Sequence, residues 1–222
     1  MPQTNSLKFN PDCRECPRLT DFLDQIGTDY PDYHARPVAP FGDKSARLLV
    51  VGLAPGMHGA NATGRPFTGD YAGILLYQTL YDFGFSNRSQ SVSRGDGLKL
   101  SGCRITNAVK CLPPQNKPQP DEIRTCNQYL QRELAELPRP AIVIALGRIA
   151  HDAVLRAAGL KLSAYPFGHG LAHAVNSGLR LLDSYHCSRY NTQTRRLTPD
   201  MFSQVFRLAR TLLDEANDYP GN

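Results

Sequence analysis

The sequence contains no tryptophan, only 3 methionines and no apolar run long enough to span a membrane. Its first segment, MPQTNSLKFNPDCREC, lacks both the basic start and the apolar stretch of an export signal. From these absences we expect a cytoplasmic protein without a membrane partner. The length of 222 residues suits one α/β domain, because two separate cores would each be small. We therefore expect residues 1–222 to fold as a single, monomeric domain.

Lysine is also scarce. The 25 basic residues comprise 19 Arg and 6 Lys, and the formal net charge is +5. Arginine suits bidentate contact with phosphate or carboxylate groups, so nucleic acid is a candidate partner. A charge of this size is common in proteins that never bind DNA, so it favours that partner only slightly.

Apolar runs alternate with amphipathic segments along the chain. Four strands are predicted, over residues 46–51, 103–111, 141–147 and 179–186. Four helices are predicted, over residues 73–85, 121–137, 148–160 and 198–216. The apolar side of the first helix is expected to carry Ile74, Leu75, Tyr77, Leu80 and Phe83. The alternation predicts a three-layer α/β sandwich, in which helices flank a central, mostly parallel sheet.

Glycine is concentrated in the segment GLAPGMHGANATGRPFTGDYAG, residues 52–73, which follows the first apolar run. In a parallel sheet, ligands bind at the carboxyl ends of the strands. This segment and His186 both follow predicted strands, and Asn107 reaches the same edge if it lies near the end of its strand. We therefore expect three distant segments to form one site, where glycine lets the main chain approach a ligand closely.

Four of the six cysteines form a pattern that suits metal binding. Cys13 and Cys16 form a C-x2-C pair, and Cys111 and Cys126 flank a proline-rich segment, 112–120, which predicts an extended surface connection. Disulfides are disfavoured without an export signal, because the cytosol keeps thiols reduced. Four thiolates can hold zinc or an iron–sulfur cluster, and the wide second pair favours the bulkier cluster only modestly. Ordinary buried thiols are the alternative.

Three long motifs resemble those of one enzyme family. They are GLAPG followed by GRPFTGD, CREC with TNAVKCLPPQNKP, and HCSRYNTQTRRLT. Together they resemble the uracil-DNA glycosylase superfamily, and most closely its family 5, also called type B. The resemblance implies the uracil-DNA glycosylase fold and excision of uracil from DNA in base excision repair. It also implies a [4Fe–4S] cluster held by Cys13, Cys16, Cys111 and Cys126.

The resemblance further implies roles for four side chains. Phe67 matches the aromatic residue that stacks on the flipped base, and Asn107 matches the amide that reads the edge of uracil. His186 matches the histidine that faces uracil O2. Asp70 matches the acid that family 5 uses in place of the water-activating residue of other families. Cys187 stands where the family has proline, which loosens the turn that aims the histidine.

These residue types suit base excision. A base in duplex DNA must be flipped into a pocket, where stacking holds it and hydrogen bonds read it. Asn107 offers a donor and an acceptor that complement uracil and mismatch cytosine. When uracil leaves with negative charge, His186 and main-chain N–H groups can stabilise the anion, while Asp70 stabilises the cationic sugar and orients water. The loop residues expected to contact the substrate are Gly52, Leu53, Ala54, Pro55 and Gly56, with His58 and Asn61 as weaker candidates.

Each of these assignments has a structural alternative. Asp70 can cap the helix that follows it, and a carboxylate at a helix start is favourable in any case. His186 can be a satisfied core histidine, and Phe67 can be an ordinary core residue. Asn107 in an apolar strand would be costly without a partner, which favours a pocket.

The last motif supplies a candidate DNA-binding rim. We expect an exposed hairpin loop after His186, where an aromatic wedge lies among phosphate anchors. Its candidate residues are Arg189, Tyr190, Asn191, Arg195 and Arg196. A solvated surface loop is the alternative. The expected partner is uracil-containing DNA, single- or double-stranded.

The predicted activity is that of a monofunctional glycosylase. No lysine other than Lys110 lies near the proposed pocket, so no amine is obviously placed to attack the sugar. The family resemblance extends the expected substrates to other deaminated or modified bases, such as hypoxanthine. The alternatives are a non-catalytic nucleic-acid-binding module with a structural metal site and a low-potential electron-transfer protein.

Overall fold

The computed structural model describes residues 8–218, which contain a six-stranded sheet. Its strands are β1 Phe41–Gly42, β2 Leu48–Gly52, β3 Cys103–Asn107, β4 Ala141–Leu146, β5 Ala172–Asn176 and β6 Leu179–Ser184. They lie in the order β1, β3, β2, β4, β6, β5. The four central strands are parallel, and each edge strand is antiparallel to its neighbour. The start of the N-terminal segment used to judge an export signal, residues 1–7, lies outside the described residues.

Seven α-helices accompany the sheet in the described part of the chain. They are α1 Pro17–Asp29, α2 Ala60–Thr63, α3 Tyr71–Asp82, α4 Pro120–Glu136, α5 Arg148–Ala157, α6 Arg189–Gln193 and α7 Pro199–Asp218. Two short 3-10 turns lie at Pro114–Asn116 and Leu162–Ala164. Within residues 8–218, no helix is both long enough and apolar enough to cross a membrane.

The two faces of the sheet belong to two core clusters. On one face, Leu49 and Val51 of β2 belong to the same cluster as buried residues of α1, α4 and α5. On the other face, Leu48 and Val50 belong to a cluster with residues of α3 and α7. Because successive residues of a strand point to opposite faces, an entirely apolar β2 requires helices on both sides. This arrangement confirms the predicted three-layer α/β sandwich.

All four predicted strands and all four predicted helices are present, and their end signals act as expected. Thr198 Oγ1 accepts a hydrogen bond from the Met201 N–H at 3.2 Å, and Pro199 begins α7. Gly159 follows α5 with a φ of +73°. The patterns did not predict α1 or β5. Strand β5 lies at a sheet edge and buries only Val175, so its hydrophobic signal is weak.

One predicted core position in α3 is wrong. The helix buries Leu76, Tyr77 and Leu80, whereas Ile74 is 64% exposed. Spacing alone could not separate these residues, because α3 is apolar over more of its circumference than one core-facing stripe requires.

Candidate active site

A cleft opens at the carboxyl ends of the parallel strands, with a cavity volume of about 400 Å³. The structure brings Phe67, Asp70, Asn107 and His186 together in its wall. The other wall residues are Leu53, Ala54, Gly56, Tyr71, Ala72, Asn116, Ser188 and Arg189. Segments that are distant in the sequence therefore share one cavity.

Asn107 occupies the end of a central strand. It is the last residue of β3 and pairs with Gly52, the last residue of β2. Asn107 is only 3% exposed, and no described residue donates a hydrogen bond to its Oδ1. A buried amide oxygen without a donor is costly unless a ligand satisfies it. The free acceptor therefore indicates a ligand that brings a donor into the cleft.

Phe67 has a left-handed backbone conformation, with a φ of +56°. Such a φ is uncommon outside glycine and persists where surrounding contacts impose it. Here the Tyr77 hydroxyl donates to the Pro66 carbonyl at 2.8 Å, and a Cβ on Gly73 would collide with the Phe67 carbonyl oxygen. Phe67 is buried in the core cluster that includes α3 and also lines the cleft. It therefore combines the core and pocket positions that the sequence left as alternatives.

Asp70 lies directly before α3, but its carboxylate does not cap that helix. Its Oδ2 accepts a hydrogen bond from the Ala60 N–H at 3.1 Å, at the start of α2. Burial raises the pKa of Asp70, and the Ala60 N–H partly offsets this effect. A carboxylate with a raised pKa in a cleft is typical of acid–base sites, so the capping alternative does not explain this side chain.

His186 lies two residues beyond the end of β6. Its ring centroid is 6.1 Å from that of Phe67, and the ring planes differ by 28°. Burial lowers the pKa of His186 to about 4, because an imidazolium would lose its hydration there. The imidazole is therefore neutral at pH 7 and offers one donor and one acceptor.

The turn at His186 is held without the proline of the family motif. Asn191 Nδ2 donates to the His186 carbonyl at 2.8 Å. Cys187 is fully buried in the core cluster that also contains α7 residues. The backbone of His186 is thus fixed from both sides.

Glycine in the loop makes room for the side chains of the site. A Cβ on Gly52 would lie 2.6 Å from the Phe67 ring and would collide with Asn107 Oδ1. A Cβ on Gly59 would collide with the Asp70 carboxylate. Gly52 and Gly59 are therefore needed because neighbouring side chains of the site fill the space beside them. The expected contact between glycine main chain and ligand explains only part of the glycine content of the loop.

Four predicted contact residues lie outside the cleft wall, and the first of them, Gly52, is the last residue of β2 and has no side chain. Pro55 is buried. His58 is exposed, and its Nδ1 is 2.8 Å from the Tyr33 hydroxyl. Asn61 is fully buried, and its amide has no partner among the described residues. The structure therefore does not bring these three side chains to the cleft, although they belong to the loop that forms it.

The predicted hairpin after His186 is wrong, because residues 189–193 form the helix α6. Ser188 is its N-cap, and the Ser188 Oγ accepts a hydrogen bond from the Asn191 N–H at 3.4 Å. The serine was the available signal for a helix start, but five helical residues give too short a pattern to recognise. Asn191, predicted to contact DNA, donates a hydrogen bond from its side-chain amide to the His186 carbonyl.

The rim around α6 exposes an aromatic side chain and several arginines. Tyr190 is 70% exposed. The Arg189 guanidinium lies 4.9 Å from the centroid of the Tyr71 ring, and Arg189 alone among these rim residues lines the cleft. Arg195 and Arg196 are exposed beyond α6. The rim thus presents positive charge beside an aromatic ring.

The connection 112–120 reaches the cleft, which the sequence did not predict. Asn116 ends the 3-10 turn and lines the cavity with a φ of +56°. Asparagine tolerates this left-handed conformation, but nothing in the local sequence shows which site the turn approaches. The other unpredicted wall residues are Tyr71, Ala72 and Ser188.

The four cysteines predicted to bind metal line a different cavity. Cys16 is the N-cap of α1, Cys126 belongs to α4, and the Lys110 N–H donates to Cys126 Sγ at 3.2 Å. Burial and neighbouring thiols raise the pKa of Cys16 to about 11. Cys103 and Cys187 lie apart, in the core on the other face of the sheet.

Lys110 is buried and fully engaged. Its Nζ donates to Thr106 Oγ1 at 2.5 Å, to the Asn107 carbonyl at 2.9 Å and to Glu133 Oε1 at 2.8 Å. These bonds use all three ammonium protons. The amine is therefore a support for the strand end that carries Asn107 and does not line the cleft.

Comparisons with known proteins agree with this architecture. The family model for the uracil DNA glycosylase superfamily matches residues 39–210, and the chain belongs to that superfamily. Within it, the chain is 48% identical over 205 residues to the type-5 uracil-DNA glycosylase of Thermus thermophilus, which covers 90% of this chain and 93% of the relative. It is 43% identical over 202 residues to the type-5 enzyme of Pyrobaculum aerophilum, which covers 89% and 87%. These relatives confirm the family 5 resemblance.

A more distant similarity concerns the fold alone. The crystal structure of wild-type SMUG2 from Pedobacter heparinus aligns with a TM-score of 0.50 and 12% sequence identity, and the alignment covers 94% of each chain.

A sequence relative outside type 5 is also similar. The type-4 uracil-DNA glycosylase of Saccharolobus solfataricus is 32% identical over 170 residues, which cover 74% of this chain and 72% of the relative.

Proposed function

We propose that this enzyme flips deoxyuridine out of DNA into the cleft and hydrolyses the N-glycosidic bond, leaving an abasic site for base excision repair. The enzyme is a uracil-DNA glycosylase. The roles proposed below rest on one observation: Phe67, Asp70, Asn107 and His186 line the same cavity. Together they offer an aromatic face, an amide, a neutral imidazole and a carboxylate around one small space.

Phe67 and Asn107 recognise the base in this proposal. A stacking face contributes roughly 1–3 kcal/mol per base. The unpartnered Asn107 Oδ1 accepts from uracil N3–H, and its Nδ2 donates to O4. Cytosine presents an acceptor at N3 and a donor at N4, so like groups would face each other. A buried amide left unpaired in this way costs about 1–3 kcal/mol, which disfavours cytosine.

Asp70 and His186 act on the charges of bond cleavage. The electron pair of the glycosidic bond leaves with uracil, and positive charge develops on the deoxyribose. The neutral His186 donates a hydrogen bond to O2 of the departing anion. The Asp70 carboxylate stabilises the sugar, orients water toward C1′ and takes up its proton. Main-chain N–H groups of Leu53 and Ala54, in the cleft wall, can further stabilise the anion.

The reaction is hydrolytic and monofunctional in this proposal. Lys110 is supported as a structural residue by its three hydrogen bonds, and the cleft wall formed by described residues contains no lysine. An amine able to form a Schiff base with the sugar is therefore missing from that wall. Borohydride is expected to trap no covalent adduct with uracil-containing DNA.

We also propose that Cys13, Cys16, Cys111 and Cys126 hold a [4Fe–4S] cluster. The donor set supports this, because four thiolates with no histidine or carboxylate among them suit iron–sulfur clusters, and they also suit structural zinc. A bound cluster would link the start of α1 to the segment after β3 and to α4, away from the cleft. Iron and zinc analysis with a visible absorption spectrum decides between the two metals, since thiolate-bound zinc is colourless.

The DNA contacts are proposed at the rim, with Tyr190 as a wedge between bases and Arg189, Arg195 and Arg196 as phosphate contacts.

The range of bases is proposed to include purines. A cleft of about 400 Å³ falls within the range of about 300–1,000 Å³ usual for small ligands, which supports entry of a purine such as hypoxanthine. We further propose a monomeric, cytoplasmic protein with one domain. Sedimentation tests the monomer, and a panel of single-lesion oligonucleotides tests the range of bases.

Release of uracil from a single-stranded oligonucleotide tests the assignment of residues. Asp70→Asn keeps the side-chain shape and is expected to lower kcat by about 10²-fold or more, since general base catalysis contributes 10²–10⁴-fold. Asn107→Ala is expected to lower uracil release while DNA binding persists. Asp214→Asn, on the exposed side of α7, is the matched control. DNA binding without uracil release by the wild type would instead favour the non-catalytic module.

A further inference from the structure

A second recess adjoins the cleft and has no role in the reaction described above. Its cavity volume is about 490 Å³. Asp70, Tyr71 and Arg189 line both cavities, so the two are separated by one shared wall. The remaining wall residues of the recess are Gly69, Gly73, Ile74, Gln90, Ser91 and Val92.

Two exposed apolar side chains lie on the sides of the recess. Ile74 on α3 is 64% exposed, and Val92, on the segment between α3 and β3, is 65% exposed. Both of these exposed side chains line the same recess, where they offer an apolar surface to a ligand. Polar groups complete this wall, namely the amide of Gln90 and the guanidinium of Arg189.

The recess is attached to the catalytic loop. The Gly69 N–H donates to the Ser91 carbonyl at 3.4 Å, and Ser91 Oγ is 2.6 Å from Thr68 Oγ1. Arg65 Nη2 also donates to Ser91 Oγ at 2.6 Å. The wall that carries Val92 is therefore fastened to the segment between Phe67 and Asp70, and both cavities keep a fixed separation.

We propose that this recess is a second nucleobase subsite, which takes the unstacked base of a nucleotide next to uracil in single-stranded DNA. The inference rests on the proposed function. Because Asp70 is part of the shared wall, a strand whose deoxyuridine fills the cleft passes directly to the recess. Tyr71, Ile74 and Val92 suit the face of a base. The amide of Gln90 suits a base edge, and Arg189 suits the phosphate between the two nucleotides.

Single-stranded DNA is the form that can fill both cavities. In a duplex, the neighbours of the flipped nucleotide remain stacked and paired, so they stay outside the recess. A free strand pays less to unstack its bases, and binding to an aromatic and apolar wall repays that cost.

Three single-stranded oligonucleotides test the subsite. One carries a normal base on both sides of uracil, and the other two carry an abasic spacer on the 5′ or the 3′ side. For the wild-type enzyme, the spacer on one side is expected to raise KM at least about fivefold, the lower end of what a base–aromatic stack contributes. The spacer on the other side is expected to have little effect. Uracil opposite guanine in a duplex is the fourth substrate.

Variants of the recess complete the test. The double substitution Ile74→Asp with Val92→Asp is expected to raise KM for the normal single strand to the value for the spacer strand, and to change KM for the duplex little. Tyr81→Asp is the matched control, because Tyr81 is exposed on the same helix but does not line the recess. Thermal unfolding checks that each variant folds.

The outcomes separate the two proposals. If uracil is released and neither spacer changes KM, the subsite is refuted while the glycosylase assignment stands. If the double variant raises KM for the duplex as much as for the single strand, the subsite is also refuted, because the paired neighbours of uracil in a duplex cannot enter the recess. If the wild type releases no uracil from any of the four substrates, the proposed function fails and the subsite with it.

Discussion

At the scale of single residues, the geometry of the site depends on glycine at positions where any side chain would collide with a site residue. A Cβ at residue 59 would occupy the space of the Asp70 carboxylate. Gly59→Ala is therefore expected to displace that carboxylate and to lower kcat on the order of 10²-fold, as small misplacements of catalytic groups do. Gly95→Ala is the control, since a Cβ there meets nothing within 4 Å. Steady-state uracil release measures both, and equal activity of the two variants would contradict the packing argument.

Two individual residues, Asp70 and His186, are expected to decide how kcat depends on pH under acidic conditions. Asp70 must be ionised, and burial raises its pKa above the usual value of 3.8. His186 must be neutral, and burial lowers its pKa from 6.5 to about 4. We therefore expect protonation of His186 to leave kcat unchanged as the pH falls through 6.5 and to lower it only near pH 4, while protonation of Asp70 lowers kcat at a pH above the usual range of a carboxyl group. A limb near pH 6.5 that His186→Gln removes would contradict a buried, neutral imidazole.

At the scale of elements, a buried ion pair fastens the segment between α3 and β3 to the catalytic loop. Arg65 Nη1 donates to Asp96 Oδ1 at 3.0 Å and Nη2 to Oδ2 at 2.5 Å. Both side chains are less than one-tenth exposed, at 4% and 8%. Asp96→Ala leaves the guanidinium buried and unpaired, which is expected to cost about 3–5 kcal/mol of unfolding free energy.

Urea denaturation measures this loss. Glu136→Ala removes the carboxylate from the half-exposed ion pair that Glu136 forms with Arg132 on α4, and it is expected to cost no more than about 1 kcal/mol. Comparable losses in the two variants would mean that the buried pair contributes no more than a surface one. The pair between Arg65 and Asp96 could not be predicted from the sequence, because the two residues lie 31 positions apart and the segment between α3 and β3 is polar and without periodicity.

The elements also show what sequence patterns can and cannot predict. Strands β2 and β4 were predictable because each is fully apolar and fully buried. Strand β5 and helix α6 were not, since one buries a single residue at an edge and the other has only five residues. Asn116 joins the cleft through a turn whose position depends on tertiary contacts. Ile74 was misplaced because α3 is apolar over more of its circumference than the core covers, so an exposed apolar side chain has the same sequence signal as a core residue.

At the scale of the whole molecule, we expect the four cysteines proposed to bind metal to affect stability more than catalysis, because they lie away from the cleft. None of Cys13, Cys16, Cys111 and Cys126 lines the cleft. If they hold a cluster, Cys126→Ser is expected to lose iron and visible absorption and to lower Tm, because metal binding contributes to folding free energy. The kcat of the folded fraction is expected to change little. Cys103→Ser, a buried thiol in the other core cluster, is the control and is expected to keep its iron.

Two outcomes would contradict this view of the cysteines. Loss of uracil release in Cys126→Ser protein that is folded and as stable as the wild type would give the metal site a direct part in the reaction. Zinc in place of iron in the purified wild type would replace the proposed cluster by a structural zinc site.

The central claim is that four side chains from distant segments form one pocket for an extruded uracil. A crystal structure of Asp70→Asn with a deoxyuridine-containing single strand tests it most directly. We predict uracil stacked on Phe67, with the Asn107 amide on its N3 and O4, His186 on O2 and C1′ beside residue 70. The claim would be contradicted if uracil were bound outside the cleft. It would also be contradicted if uracil lay in the cleft but made no hydrogen bond to Asn107 Oδ1.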